Sequence, residues 1–423
     1  MAVCFFNRDY EKKYYCEYKL KDDFFEIIVD YDITDEIETV NGGKLFCVDT
    51  EFNKRDILII DYDNKKNYLL KDASYLKHKE VYGTPDNGTK TKFFASVVFE
   101  NKSYKKLSKL LDTPKIKKVR LYSKSVNNLI GYPSLTLTES TEKNTIELYK
   151  NKEHNRVEVN YNNIKSVSVA DNWFSKFSGK TKTMQIDFDG YIEIEFYKRA
   201  NYDDVYDYIY ELQIYMQLYY KNKFIVDKVT VMIEEEYYGL LNMHRKIDYT
   251  EKHVFSTVKE DLLDFLKKCY TLIPYRKSKS EIRNIPYIIF KTPRNIEDSF
   301  LMYYRFIECY YKRQQISNIQ KSFISYSMKE HYIKNNPMTE ENREKYIQEI
   351  ICLRNHYVHS GYFLKNSCLK VSFDKVNRRR NPKDYTVNNI DFQWIYERTQ
   401  ILYKITIDII FTKMLGYNEY TYS

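Results

Sequence analysis

Three residues near the C-terminus have the types and spacing to do chemistry together: Arg354, Asn355 and His359, within Arg354-Asn355-His356-Tyr357-Val358-His359. Histidine exchanges protons near neutral pH. A guanidinium can hold two phosphate oxygens and stabilise the charge that builds up on them in a transition state. An amide can fix the histidine's orientation or donate to a phosphate oxygen. Such a trio could cleave RNA without a metal, the ribose 2′-hydroxyl losing a proton and attacking the neighbouring phosphate. His356 is an extra histidine beside the trio, read as an RNA-side neighbour and not as the base. The bland alternative is that basic residues favour the last turn of any helix, and Arg-x4-His is a short pattern.

The element that must position these residues is a long helix predicted from Thr339 to about His359. Thr339 is a suitable N-cap, and Glu340 and Glu341 suit the positive first turn. Ile347, Ile350, Ile351, Tyr357 and Val358 recur at helical spacing and are predicted to form its buried stripe. Asn355 and His359, four apart, share a face, and Arg354 points partly inward. Ser360-Gly361 ends the helix, with Gly361 at the C′ position.

At 423 residues the chain has room for two or three domains. A mean hydropathy of −0.63 and 43% hydrophobic residues suit a soluble globular protein. No apolar run is long enough to span a membrane, and the first residues, MAVCFFNRDYEKK, do not form a secretion signal. The seven cysteines are scattered and never form Cys-x-x-Cys, which points to reduced thiols in a cytoplasm and away from structural zinc. Residues 251–423 hold 29 Lys/Arg against 19 Asp/Glu, a net of +10; the other 39 basic and 40 acidic residues leave 1–250 nearly neutral. The positive field of the C-terminal part favours a polyanion, and RNA is the expected partner.

Residues 1 to about 200 read as β-rich. Alternating runs recur at Phe24–Tyr31, Asp56–Tyr62, Lys92–Glu100, Lys117–Tyr122, Ser134–Thr138, Thr145–Tyr149, Arg156–Tyr161 and Lys165–Ala170, separated by turn residues. The plainest hairpin signal is MQIDF-DG-YIEIEFY, with Asp189-Gly190 as the predicted two-residue turn. A sandwich or curled antiparallel barrel fits, covered by a helix over Asp203–Lys221. Gly179-Lys180-Thr181 lacks the first glycine of a phosphate-binding loop, Phe174 standing in its place. Asp61-Tyr62-Asp63-Asn64 lacks the glycine and glutamate of a calcium loop. No cofactor or metal is therefore expected.

Past Tyr249 the pattern becomes helical. Thr257-Val258-Lys259-Glu260 reads as a capping box opening a bridging helix to Leu272. A second helix starts at Asn295 or Asp298, with Phe300, Tyr303, Phe306/Ile307 and Tyr310 inward. Asn335-Asn336-Pro337 interrupts the chain before the motif helix, an extended piece follows Gly361, and Arg378-Arg379-Arg380 forms a basic loop that could hold phosphates flanking a cut. A last helix is capped by Asp391, has Phe392, Ile395, Thr399, Leu402, Thr406, Ile409 and Ile410 as its stripe, and ends at Gly416. The expected fold is α+β and multidomain: a β-rich N-terminal domain over 1–250, a connecting helix and linker over 251–290, and an all-α helical bundle over 291–423.

Two runs in this bundle, FLMYYRFIECYYKR and LRNHYVHSG, resemble the ApeA-like HEPN family, whose motif is Arg, a polar residue and a histidine at the end of a core helix. A β-rich N-terminal half of this length is also similar to what that family carries. The resemblance implies a metal-independent endoribonuclease of bacterial anti-phage defence, acting on tRNA or other cellular RNA by abortive infection. It carries Arg354, Asn355 and His359 over as catalytic, with Glu308 beside them; Glu308–Lys312 also reads as a simple helix-surface pair. It further implies that two motifs line one cleft in a homodimer or higher oligomer, which would supply the second histidine that acid and base catalysis need. The β-rich domain would then sense a phage-derived trigger. Two other readings stay open: a non-catalytic HEPN partner, and a recognition protein that binds a phage component or a toxin partner.

Overall fold

A computed structural model of the chain describes residues 2–6, 9–20, 25–30, 55–80, 89–95, 97–111, 115–126, 135–139, 144–148, 155–178, 183–220, 224–241, 256–272, 296–313, 320–360, 369–371, 385–387 and 390–421. These fall into two compact units, one of residues 1–210 and 224–254, the other of 211–223 and 255–423.

Unit 1 is the β-rich part. Its strands are β1 (Ala2–Phe6), β2 (Tyr14–Leu20), β3 (Phe25–Asp30), β4 (Arg55–Asp61), β5 (Lys66–Glu80), β6 (Thr89–Ala95), β7 (Val97–Asn101), β8 (Ile116–Tyr122), β9 (Leu135–Glu139), β10 (Asn144–Leu148), β11 (Asn155–Tyr161), β12 (Ile164–Ser178), β13 (Thr183–Ala200), β14 (Lys228–Ile233) and β15 (Glu236–Leu241). Thirteen form one sheet in the order β11-β12-β13-β8-β14-β15-β7-β5-β4-β1-β2-β3-β6, and β9 pairs with β10 apart from it. Because β5 also pairs with β6, the six strands β5-β4-β1-β2-β3-β6 close on themselves as a barrel. The closing device is Asp72, a residue at φ +49°. Before it, β5 pairs with β7; after it, the same strand pairs with β6. Such an irregularity bends a strand sharply enough to turn a corner. The barrel interior is apolar, filled by Cys4, Phe6, Phe25, Ile27, Val29, Ile57, Ile59, Leu70 and Phe93, all buried. Alternation along each strand puts these on one face, as at Phe25, Ile27 and Val29.

The structure corrects two strand expectations. Asp189-Gly190 is not a turn: β13 runs straight through it, Asp189 facing Asn172 and Gly190 facing Asp171 of β12. Bending there would forfeit the backbone bonds of half the strand, so long-range pairing overrides a local turn signal. The pairing runs out to Ser178 opposite Thr183. Likewise, Lys92–Glu100 is divided between β6 and β7, which pair with different parts of β5. Asp61 closes the turn after β4, its Oδ1 accepting from the Asp63 and Asn64 amides at 3.0 and 3.1 Å.

After the short helix α1 (Tyr104–Ser108), the main helix of this region is α2 (Tyr202–Tyr220). Its predicted stripe of Val205, Tyr208, Ile209, Leu212, Tyr215, Met216 and Tyr219 is buried throughout. The division between units falls inside it.

Unit 2 is helical: α3 (Leu262–Leu272), α4 (Ile296–Arg313), α5 (Gln320–Ser327) continuing as a π-helical turn (Met328–Ile333), α6 (Glu340–Ser360) and α7 (Phe392–Asp408) continuing as another (Ile409–Met414), with a two-stranded ribbon of β16 (Leu369–Val371) and β17 (Tyr385–Val387). The Thr257 capping box is a further correction. α3 is capped by Asp261, whose carboxylate accepts from the Leu263 amide at 2.9 Å. Thr257 instead donates its hydroxyl to Leu218 O (2.8 Å) and its amide to Tyr219 O (2.6 Å), closing the end of α2. Four orphan carbonyls at a helix end compete well for such donors. Among the described residues, no helix is long and apolar enough to cross a membrane.

Candidate active site

The motif lies on the last turns of α6. Thr339 caps this helix as expected, its hydroxyl accepting from the Asn342 amide at 3.2 Å. Ile347, Ile350 and Leu353 are buried, but the stripe does not extend as predicted: Ile351 and Tyr357 are half-buried, and Val358 is 51% exposed. Periodicity marks which face is apolar, but not where the neighbouring helices stop covering it. The C-terminal turns of α6 therefore stand partly clear of the packed core. Gly361 lies outside the described residues.

α6 is fixed by a buried ion pair. Arg398 of α7 donates Nε (2.8 Å) and Nη2 (2.6 Å) to one carboxylate oxygen of Glu349. The two side chains are 5% and 1% exposed. The guanidinium also sits 4.2 Å from the Trp394 ring centre and 5.1 Å from that of Tyr346. Sequence reasoning missed this clamp. Its signal was a charged residue at a position that helical spacing buries, Glu349 between Ile347 and Ile350.

A second buried network ties α4, α5 and α7 together. His331, on the first π-helical turn, reaches Asp408 through Nδ1 (2.6 Å) and the Tyr311 hydroxyl through Nε2 (2.7 Å). Tyr420 donates to the other Asp408 oxygen at 2.6 Å. Burial alone would push the Asp408 carboxyl up, but hydrogen bonds from His331, Tyr420 and Thr412 hold it below the usual carboxylate range.

Within the motif, Arg354 donates Nη1 to Asn355 Oδ1 at 3.0 Å. Its guanidinium lies 5.7 Å from the ring centre of Tyr304 on α4. Tyr304 is a residue the sequence reading does not single out, while Tyr303 is buried as expected. Tyr304 too is buried, and its hydroxyl has no hydrogen-bond partner among the described residues. Burial pushes that hydroxyl up; Arg354 pulls it down and Glu308 pushes it up again, so both charges act on one ring. Glu308, one turn beyond Tyr304, accepts from Lys312 at 2.8 Å, the helix-surface pair. Asn355 is half-buried and His359 exposed; the half-buried His356 has a shielded Nε2 with no partner among the described residues. Arg378, Arg379 and Arg380 lie outside those residues. Tyr310 is half-buried where Tyr304 and Tyr311 take the inward positions on α4, and Phe392 of α7, expected in the buried stripe, is 66% exposed.

A family model described as ApeA N-terminal domain 1 matches residues 27–253, just over half of the chain. The chain belongs to the ApeA family. No curated protein and no solved structure matches it. The ApeA match runs from within β3 past β15 and ends before α3, so it identifies the β-rich part and the chain's place among ApeA-like anti-phage defence proteins. The motif helix α6 lies outside the matched residues. Among the described residues, no three His, Cys, Asp or Glu side chains are grouped as a metal site would need.

Proposed function

We propose that the chain is a metal-independent endoribonuclease of anti-phage defence, cleaving tRNA or another cellular RNA by attack of a ribose 2′-hydroxyl on the adjacent phosphate. The observation that carries this reading is the arrangement at the end of α6. Arg354 is braced by Asn355 and Tyr304, and His359 stands exposed five residues further on. A braced guanidinium loses less freedom on taking a phosphate than a mobile one. Arg354 would hold the non-bridging oxygens, His359 would move the proton, and Asn355 would keep Arg354 aligned. One His359 per chain cannot act at once as base and acid. Two copies meeting through their helical units would supply both, with Glu308 bounding the site.

The β-rich unit is the regulatory half of this proposal. An RNase fully active at all times would poison its own cell, so residues 1–250 are assigned the sensing of a phage-derived trigger that raises a low basal rate, the rate that concentrated purified protein shows. The test is purified full-length protein with total RNA in EDTA. Products ending in 2′,3′-cyclic phosphate are expected, with no cutting of DNA of the same sequence. Cleavage that needs a divalent metal, or that leaves other ends, overturns the reading.

A further inference from the structure

The side chains of Phe392 and Tyr396 do not join the core that the rest of α7 helps to build. They are 66% and 41% exposed. Their rings stack near-parallel, 16° apart with centroids at 6.1 Å. Packing locates this pair at the motif end of the helical unit. α4 and α7 run parallel, since Tyr303 meets Tyr403 and Tyr311 reaches Asp408 through His331. α6 runs against both: Arg354 lies over Tyr304 while Tyr357, further along α6, feels the charges of Asp298 and Glu297, earlier on α4, and Glu349 pairs with Arg398 while Asn336, just before α6, bonds Lys404 at 3.2 Å. From the Glu349–Arg398 pair, six residues lead forward along α6 to Asn355 and six lead back along α7 to Phe392, about 9 Å in the same sense at 1.5 Å per residue. The exposed Val358 and His359 lie at this end too.

We infer that Phe392 and Tyr396 form a base-stacking platform that holds an unpaired nucleotide of single-stranded RNA next to the bond being cut. The inference rests on the ribonuclease reading and gives its substrate a class: single-stranded or looped RNA, whose bases are free to stack, in preference to duplex. Aromatic faces take any base, and such contacts are worth about 1–3 kcal/mol each. The net charge of +10 over residues 251–423 favours a polyanion as occupant. Two rings also supply far less than the roughly 800 Å² per partner of a stable protein interface, so a second copy is the weaker candidate.

The test uses the full chain and a fluorescent single-stranded RNA made wholly of 2′-O-methyl nucleotides, which has no free 2′-hydroxyl and cannot be cut. Phe392→Ala and Tyr396→Ala are each expected to weaken binding about 5- to 150-fold, the equivalent of 1–3 kcal/mol. Phe392→Trp should retain affinity. The salt dependence should keep its slope in all three, because stacking releases no counterions, whereas Arg354→Ala should flatten it. A 2′-O-methyl duplex should bind equally to the wild type and the variants. Unchanged single-strand affinity in both alanine variants overturns the platform. So does a loss of affinity that tracks dissociation of the oligomer in sedimentation, which would make this face a contact between copies. If RNA is cut normally while the variants bind as the wild type does, the platform fails alone. If the wild type binds no RNA, the ribonuclease reading fails with it.

Discussion

Replacing Arg398 by alanine is the sharpest structural perturbation available, because it should move α6 without touching the motif. Arg398 makes two hydrogen bonds to Glu349 Oε2, one to Trp394 O at 3.2 Å and one to Glu397 at 2.8 Å. Removing it leaves the Glu349 carboxylate, 1% exposed, without its guanidinium. Breaking a buried pair from one side costs about 3–5 kcal/mol. At about 2–4 °C per kcal/mol for a unit of this size, the melting transition of the helical part should fall by roughly 6–20 °C. The converse is as informative. Arg398→Met combined with Glu349→Leu keeps the volume and removes both charges, and should return close to wild-type stability. Circular dichroism melts of the two single variants and the double measure this directly. A loss under about 1 kcal/mol in Arg398→Ala, or a double variant no more stable than the singles, would refute the clamp.

Three other outcomes follow from the packing. Asp408 titrates below its ordinary value of 3.8 when folded, so its contribution to stability is full above that value and is lost as pH falls through the lower folded value; urea titrations down through pH 4 should show a shallower acid loss in Asp408→Asn than in the wild type. Leu353→Ala should cost roughly 2–5 kcal/mol, while Val358→Ala should stay within about 0.5 kcal/mol, and similar losses at the two positions in denaturant melts would contradict the observed rotation of α6. A fragment starting at residue 251 should bind a hydrophobic dye and aggregate, because it lacks Tyr215 and Tyr219, which pack on Tyr270 and Phe265; a monodisperse, cooperatively melting fragment would show that residues 211–223 are dispensable to unit 2.

How far the sequence reaches depends on the range of the forces involved. The start of α6 was legible because Thr339, Glu340 and Glu341 act within one turn, and Asp391 and Gly416 bounded the last helix for the same reason: the Asp391 carboxylate accepts from the Trp394 amide at 2.7 Å, and Gly416 takes φ +74°. The Asp189-Gly190 turn was misread because the partner that keeps β13 straight is another strand. α5 escaped notice because Gln320–Ser327 is polar and short; it is held by Phe323, Ile324, Met328 and His331, all buried. At the site, Arg354, Asn355 and His359 could be singled out by chemistry alone. Tyr304 and Arg398 could not, since their importance comes from what α4 and α7 bring against α6. The barrel was legible as a class, but its closure at Asp72 depends on β5 changing partners, which no local pattern records.

Whether the end of α6 cuts RNA is decided by the rate at which His359→Ala cleaves RNA in EDTA beside a wild type of matched melting temperature. His359 is exposed, so the substitution should leave the fold intact. Cleavage should fall to background, while the variant still binds the uncleavable 2′-O-methyl RNA. A His359→Ala protein that cuts at the wild-type rate would contradict the ribonuclease reading.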